Sequence, residues 1–178
     1  MKGVIFNLLE EVVVDHHGDA VWDMLLTSTG SPGVYTSLGS YADAELYALV
    51  TAASNATGIP VRTLLHWFGV NALPKLAGRY PGFFESAPDA RSFILSVNTI
   101  IHPEVRKLYS GASCPHFHFT ETANTLTLGY RSPRKLCDLA HGFVEGVAAY
   151  YNETITFSQP TCMHDGAPGC QLQVTWPQ

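Results

Sequence analysis

Apolar residues recur at helical spacing through the first two-thirds of the chain. Spacing of this kind predicts helices that bury one face. Asp favours a helix start, whereas Gly and Pro favour a stop. The predicted helices cover residues 3–14, Asp19 (as the cap) to near Gly30, Asp43 to Ala56 and Val61 to Val70. A Ser-Pro-Gly turn signal places a loop over Thr29 to Gly39.

A further helical segment, Asp89 to Tyr109, contains an interruption. Pro103 lies inside it, and a residue before proline is disfavoured in helical geometry. His102 is therefore predicted at a break between two helical pieces, with Pro103 in the first turn of the second. The apolar residues that define the first piece are Phe93, Ile94, Val97, Ile100 and Ile101.

The last third of the chain changes to strand-like alternation, interrupted by one helix from about Pro133 to Tyr151. The first two strands form a hairpin with its turn near Ala123-Asn124. The predicted strands cover His116–Glu121, Leu126–Arg131, Ile155–Ser158 and Gln171–Trp176. An N-terminal helical part followed by a C-terminal antiparallel sheet with helices is an α+β fold.

Composition narrows the class of protein. The 178 residues fit one domain, and 46% hydrophobic residues with only 14% charged ones allow a core that encloses a cavity. A net charge of −5 argues against a nucleic-acid surface. The short apolar N-terminus does not resemble a signal peptide, and no apolar run reaches the roughly 18 residues of a membrane span. We therefore expect a cytoplasmic protein, in which four cysteines are reduced thiols or metal ligands.

Two features indicate chemistry. His102, at the end of an apolar helix, is either an axial ligand to heme iron or a core histidine bonded to a backbone carbonyl, and position alone favours the core histidine. Tyr130, Ser132 and Arg134 share one face of an extended segment. Their hydroxyls and guanidinium suit a pair of carboxylates such as heme propionates. Equally, Ser132 could cap a helix, with Arg134 on the surface.

Three segments of the chain resemble one family. They are Met1-Lys2-Gly3-Val4-Ile5-Phe6, the stretch from His102 to Pro115, and Tyr130-x-Ser132-x-Arg134 at the family's interval after that histidine. The chain is similar over essentially its whole length to the heme–nitric oxide/oxygen binding (H-NOX) family, of the bacterial stand-alone NO-sensor type.

The resemblance implies a single domain over 1–178 with heme b buried between a mostly distal helical part, 1–60, and a proximal part with the sheet, 61–178. His102 would be the proximal iron ligand. The other implied contacts are Tyr130, Ser132 and Arg134 to the propionates, and Pro115, Ile5 and Leu9 in the heme pocket.

The resemblance also implies a ligand preference. Family members that bind oxygen stably carry a distal tyrosine, and Leu139 occupies the matching position, with Phe143 one turn later. Bound O₂ needs a hydrogen-bond donor much more than NO or CO does. The implied function is a non-enzymatic NO sensor that also binds CO, excludes O₂ and signals in trans to a histidine kinase or a cyclic-di-GMP enzyme.

Cysteines form a second candidate site. Cys137, Cys162 and Cys170 fit the spacing at which some bacterial family members bind zinc with three cysteines and a histidine. Gln159 stands at that histidine's place, so His164 is the replacement predicted as fourth ligand. Free buried thiols or a Cys162–Cys170 disulfide are the alternatives. Zinc thiolates can be oxidised, which adds a possible redox signal.

Two functions from other classes remain open. One is a small zinc enzyme that uses His116, His118 and a cysteine with a metal-bound water. The other is a structural zinc module that binds protein and contains no heme. The sequence contains no Gly-rich phosphate loop, nucleophile elbow or His-Glu-x-x-His motif, so we do not expect intrinsic catalysis.

Overall fold

A computed structural model describes residues 1–177 and contains eight α-helices in that range. A π-helical segment, Val97–Ile101, and a 3₁₀ turn, Met163–Asp165, complete the helical structure. The α-helices are α1 (Gly3–His17), α2 (Asp19–Thr29), α3 (Asp43–Thr57), α4 (Val61–Arg79), α5 (Pro81–Glu85), α6 (Ala90–Ser96), α7 (His102–Leu108) and α8 (Cys137–Tyr150).

The predicted helices are present, but several boundaries differ for local reasons. Gly18, at φ 83°, caps α2, so Asp19 is the first helical residue rather than the cap. α4 continues beyond Val70 and passes through Pro74, which removes one backbone hydrogen bond without ending the helix. α8 begins at Cys137 rather than near Pro133, because Lys135 adopts a left-handed conformation with φ 48°.

The sequence predicts a break in the helix at His102, but the structure has a continuous helical path there. His102 itself is helical, with φ −64° and ψ −37°, although Pro103 follows it. The π-helical segment Val97–Ile101 runs directly into α7, and Pro103 lies in the first turn, where no helical N–H is required. The irregularity therefore lies in the turn before His102 instead of at His102.

Four antiparallel strands form one sheet in the order β1-β2-β4-β3. The strands are β1 (Phe117–Glu121), β2 (Thr125–Tyr130), β3 (Thr156–Thr161) and β4 (Cys170–Thr175). β1 and β2 form the predicted hairpin, with Phe117 opposite Tyr130. The register of β3 against β4 shifts between Ser158 and Thr161, next to the cysteine-bearing loop. Helices followed by a helix-crossed antiparallel sheet confirm the predicted α+β class.

Buried side chains form two hydrophobic clusters. One joins α1 to α4 and includes Phe6, Leu46 and Phe68. The other joins the inner face of the sheet to α6 and α8 and includes Leu126 and Leu172. Helix α4 contributes to both clusters, so they meet along α4 and α8 and not at a linker. Within residues 1–177 no helix is both long and apolar enough to cross a membrane.

Helices α4 and α8 touch at their backbones. A Cβ placed on Gly142 would lie 2.1 Å from the His66 carbonyl oxygen, and one placed on Gly69 would lie 2.6 Å from the Leu139 carbonyl oxygen. Real Cβ atoms do not approach backbone oxygens this closely, because their van der Waals surfaces would overlap. Both positions therefore require glycine, and the contact fixes the relation between the helical part and the sheet.

Replacing Gly142 with Ala should destabilise the fold. Separating the two helices far enough to admit the methyl group should lower the free energy of unfolding by about 1–3 kcal/mol in urea titrations. Gly78→Ala is the matched control, because that glycine also lies in a helix and a Cβ there meets nothing within 4 Å. The control should raise stability by about 0.5–1 kcal/mol. Equal stability of the two variants would contradict the proposed contact.

Candidate cofactor cavity and thiol cluster

A cavity of about 440 Å³ lies where the two hydrophobic clusters meet. Cofactor and ligand pockets commonly enclose about 300–1,000 Å³ and are mainly apolar. Aliphatic and aromatic side chains from α1, α4, α6, α7, α8 and the sheet line this one. The lining includes Ile5, Phe93, Leu139, Phe143 and Val144. Its size and apolar wall fit a large, flat, hydrophobic cofactor.

His102 lies in the cavity wall with a half-buried imidazole. Burial, with a smaller effect of the nearby Arg106 cation, lowers the pKa of His102 to about 4. Its Nδ1 atom is buried and has no well-formed hydrogen bond within the described residues. The ring stacks at 6.1 Å on Phe117. A hydrogen-bonding contact with the Pro115 backbone opposes the lowered pKa, in line with the sequence alternative of a histidine bonded to a backbone carbonyl. A neutral imidazole held through one nitrogen keeps the lone pair of the other nitrogen for a metal.

Tyr130, Ser132 and Arg134 line the same cavity. The Tyr130 hydroxyl accepts a hydrogen bond from the Leu136 backbone N–H at 3.0 Å, which orients the ring at the end of β2. Ser132 Oγ accepts one from the Arg134 N–H at 3.3 Å, so the serine also stabilises the turn before α8. The three polar side chains therefore surround one end of an otherwise apolar cavity, where they can bind carboxylates.

The position of Arg134 depends on residues that sequence reasoning did not identify. Its Nε donates to Asp43 Oδ2 at 2.6 Å, and a terminal nitrogen donates to the Ser113 carbonyl at 2.6 Å. These bonds use part of the guanidinium fork and leave further N–H groups for a ligand. In the sequence, Asp43 indicates only a helix start. No sequence pattern connects it with Arg134, which lies 91 residues later.

The other predicted cavity residues do not all reach the cavity. Pro115, Ile5, Leu139 and Phe143 belong to its lining. Leu9 does not: it lies one turn further along α1, about 6 Å on, and lines a separate cavity of about 30 Å³ within the helical cluster. Ile5 and Leu9 lie on the same face of α1, but the cavity ends before Leu9. Leu9 therefore packs in the helical core.

The cavity also contains two tyrosines that the sequence analysis did not single out. The hydroxyls of Tyr80 and Tyr109 are hydrogen-bonded to each other, and both residues belong to the lining. Burial raises the pKa of Tyr109 to about 12, so that phenol stays neutral. No sequence pattern links them, because one follows α4 and the other follows α7.

Three cysteines meet beside α8. The thiols of Cys137, Cys162 and Cys170 are buried and lie within 4.8 Å of one another. The Cys137 and Cys162 sulfurs are 3.8 Å apart, and all the cysteines are free thiols, so the alternative Cys162–Cys170 disulfide is not formed. Burial raises the pKa of Cys137 and of Cys170. Thiols gathered in this way fit a soft cation such as zinc.

His164 lies at the edge of this cluster. Its Nε2 donates to the Lys135 carbonyl at 2.8 Å and lies 3.8 Å from Asp138 Oδ2. Asp138, a buried carboxylate that accepts from Arg62 Nε at 3.0 Å, is also within 4.8 Å of the Cys137 sulfur and of His164. His164 and Asp138 thus lie close to Cys137, but neither forms one group with all three thiols. His116 and His118 do not join a metal-binding group among residues 1–177.

Known proteins of one family resemble this chain over most of its length. The family model described as Haem-NO-binding matches residues 2–159. The chain is similar to an H-NOX protein from S. oneidensis in the Fe(II)NO ligation state, at 36% identity with a TM-score of 0.95 and full coverage of both chains. It is also similar to the Fe(II) unliganded H-NOX protein from K. algicida, at 29% identity and TM-score 0.90, covering 100% of this chain and 97% of the other. A comparison with curated proteins found no match.

The match extends over nearly all of the chain, and the cavity is lined by a neutral histidine together with the polar side chains of Tyr130, Ser132 and Arg134. These residues fit a heme. The resemblance seen in the sequence is confirmed: the chain belongs to the haem-NO-binding (H-NOX) family of heme-containing gas sensors.

Proposed function

We propose that this protein is an NO sensor that binds NO and CO at a ferrous heme b held by His102. The observation that carries the proposal is the neutral His102 imidazole, which has no well-formed hydrogen bond at Nδ1, in the wall of a cavity that Tyr130, Ser132 and Arg134 also line. When bound, the heme supplies the iron that takes the gas. Solved H-NOX proteins from S. oneidensis that resemble this chain are described in Fe(II)NO and Fe(II)CO ligation states.

The chain's own residues would bind and orient the cofactor. His102 would contribute its imidazole as the proximal iron ligand. Arg134, fixed by Asp43, and the Tyr130 and Ser132 hydroxyls would neutralise and hydrogen-bond the propionates. Pro115 and Ile5 complete the apolar wall around the ring. Burial in that wall excludes water, which strengthens each polar contact.

The same residues explain how a signal could leave the cavity. His102 lies where the π-helical segment meets α7, and neither piece contains a fully buried residue. Few buried contacts make such a segment a low-stability region of the fold. A change in the contacts of the His102 imidazole therefore acts directly on α7, and the ligand would shift the population between two packings of this segment.

Leu139 and Phe143 support discrimination against O₂. Both are apolar and line the cavity, so they offer no hydrogen bond to a bound ligand that carries partial negative charge. We infer a site that favours NO and CO over O₂.

Output would occur through a partner. Signalling in trans to a histidine kinase or a cyclic-di-GMP enzyme follows from the resemblance to bacterial NO sensors. The cytoplasmic location, the absence of intrinsic enzyme activity, and the division into a distal part, 1–60, and a proximal part, 61–178, also remain predictions. Helix α4 contributes buried side chains to both hydrophobic clusters, which supports communication between such parts through a packed core.

Zinc at the cysteine cluster is the second component of the proposal. Three buried thiols already lie within 4.8 Å of one another, and His164 or Asp138 would supply the fourth ligand. Gln159 Nε2 is buried without a well-formed hydrogen bond, and its contact with the Cys137 thiol opposes the raised pKa of that group. The residue at the family's histidine position therefore faces the cluster with an amide instead of an imidazole. Oxidation of the thiolates, with release of the metal, would give the redox response.

Replacing His102 with Gly tests the iron ligand. The variant should purify with little heme, or should regain heme absorption when imidazole is supplied, because the added base replaces the missing ligand in a cavity that is otherwise intact. The measurement is the Soret band of the reduced protein with and without imidazole. His118→Gln is the control, since that exposed histidine is outside the cavity. A His102→Gly spectrum unchanged from wild type would reject the assignment.

Replacing Leu139 with Tyr tests the ligand preference. The phenol would place a hydrogen-bond donor in the cavity, so the affinity for O₂ should rise by about tenfold or more, in line with one hydrogen bond of about 1.5 kcal/mol. Absorption spectra of the reduced protein in air measure this. The control Leu38→Tyr adds the same group at a residue that is 68% exposed and should change nothing. Wild-type O₂ affinity that already equals that of Leu139→Tyr would refute the apolar mechanism.

Replacing Cys162 with Ala tests the zinc site. The variant should lose zinc, measured by atomic absorption, and should unfold more easily while keeping the heme spectrum. Cys114→Ala is the control, because Cys114 lies outside the thiol cluster and its loss should leave the zinc content unchanged. Stoichiometric zinc in Cys162→Ala would show that Cys162 is not a ligand.

A further inference from the structure

A second cluster of potential metal ligands lies on the outside of the α4–α8 crossing. His141 and Glu145 are one turn apart on α8, which places them on the same face. His66 reaches them from α4, because the glycine contact brings its backbone against Gly142. The three donor atoms lie within 4.8 Å of one another. This cluster shares no residue with the heme cavity or with the cysteines.

We propose that His66, His141 and Glu145 form a binding site for a divalent late first-row transition metal ion, such as Zn²⁺ or Ni²⁺. Two imidazoles and one carboxylate are the ligand set that such ions accept, whereas Mg²⁺ and Ca²⁺ prefer oxygen alone. The site would leave the remaining coordination positions to water.

The present geometry is close to what coordination requires. Both histidines point Nε2 at one carboxylate: His66 Nε2 lies 2.8 Å from Glu145 Oε2, and His141 Nε2 lies 2.8 Å from Glu145 Oε1. A tetrahedral ion with bonds of about 2.1 Å holds its ligand atoms about 3.4 Å apart. Small side-chain rotations would therefore open space for the ion between groups that already face each other.

Protons and charge are compatible with binding. Each neutral ring can carry its proton on Nδ1 and offer the Nε2 lone pair to the ion, and Glu145 exchanges its two hydrogen bonds for a metal bond. With both rings neutral, the ligand set has one negative charge, which favours a cation. Burial lowers the pKa of His141, opposed in part by Glu145, so this ring is largely neutral near pH 7.

The surroundings both hold the ligands in position and admit an ion. The His141 ring stacks on Phe157 of β3 with centroids 3.3 Å apart and planes 8° apart. Fixing a ligand ring in this way is the usual role of neighbours around a metal site. The side chains of His66, His141 and Glu145 are 29%, 22% and 37% exposed, so solvent reaches them.

A bound ion would link two helices that both line the heme cavity. Leu73 and Leu76 on α4, and Leu139 and Phe143 on α8, belong to that lining. The ion would cross-link α4 to α8 beside the Gly69–Gly142 contact, and its stabilisation of the crossing would grow with the logarithm of the free metal concentration above Kd. The proposal does not depend on heme binding, because the ligands lie outside the cavity.

Equilibrium dialysis of the heme-loaded, zinc-free full chain against Ni²⁺ tests the site. Any Ni²⁺ held by the thiol cluster is common to wild type and variants, because the variants leave the cysteines unchanged. Wild type should retain about one Ni²⁺ per chain more than His66→Gln or Glu145→Gln, since loss of one ligand lowers metal affinity on the order of a hundredfold. Ni²⁺ should raise the Tm of wild type and not that of the two variants. Mg²⁺ at the same concentration should not bind.

His118→Gln is the matched control, because it removes an exposed histidine that belongs to no ligand group. It should keep the full Ni²⁺ content. The proposal would be overturned if wild type, His66→Gln and Glu145→Gln retained equal Ni²⁺, or if only His118→Gln lost it. The three side chains would then be a hydrogen-bonded group without a metal. Circular dichroism verifies that each variant is folded.

A measurement on wild type alone gives an answer even if both variants unfold. Paramagnetic Ni²⁺ should broaden the backbone amide resonances around residues 66, 141 and 145 relative to the Mg²⁺-treated protein. Broadening confined to another part of the chain would reject the site. Because metal content is read without reference to gas binding, failure of the heme proposal and failure of this one give different results.

Discussion

The backbone contact between α4 and α8 sets the positions of every site in this protein. Two glycines, Gly69 and Gly142, allow the helices to approach until a Cβ on either would collide with a carbonyl oxygen of the other helix. α8 carries Leu139 and Phe143 toward the cavity, and its first residue, Cys137, toward the thiol cluster. A shift in this crossing would move all of them together, because both helices are packed into shared hydrophobic clusters.

The cavity exists because two cores meet without filling the space between them. Protein interiors pack as densely as organic crystals and contain few voids larger than a water molecule. A cavity of about 440 Å³ lined by side chains such as Phe93, Leu139 and Val144 therefore indicates a bound cofactor or ligand. In that apolar surrounding, His102 is held neutral and has no well-formed hydrogen bond at Nδ1. A buried polar group of this kind costs stability, and a bound metal is one way of satisfying it.

Much of the local structure could be predicted from the sequence. Amphipathic spacing located the helices, alternation located the β1–β2 hairpin, and the two-residue spacing of Tyr130, Ser132 and Arg134 placed them along one cavity wall. The errors arose where tertiary structure outweighs local preference. Pro74 did not end α4, and Pro103 did not displace His102 from helical geometry. Leu9 faces the helical core although it shares a helix face with Ile5.

The sequence by itself determined the fold class, the family and the residue types at the cofactor and thiol sites, because these depend on local periodicity and short motifs. Only the tertiary structure decided which distant residues meet. Asp43 holds Arg134, Tyr80 bonds to Tyr109, and His66 joins His141 and Glu145. Those partners lie far apart along the chain, and no periodicity connects them. They are brought together by the burial of apolar faces and by the close helix crossing that glycine permits.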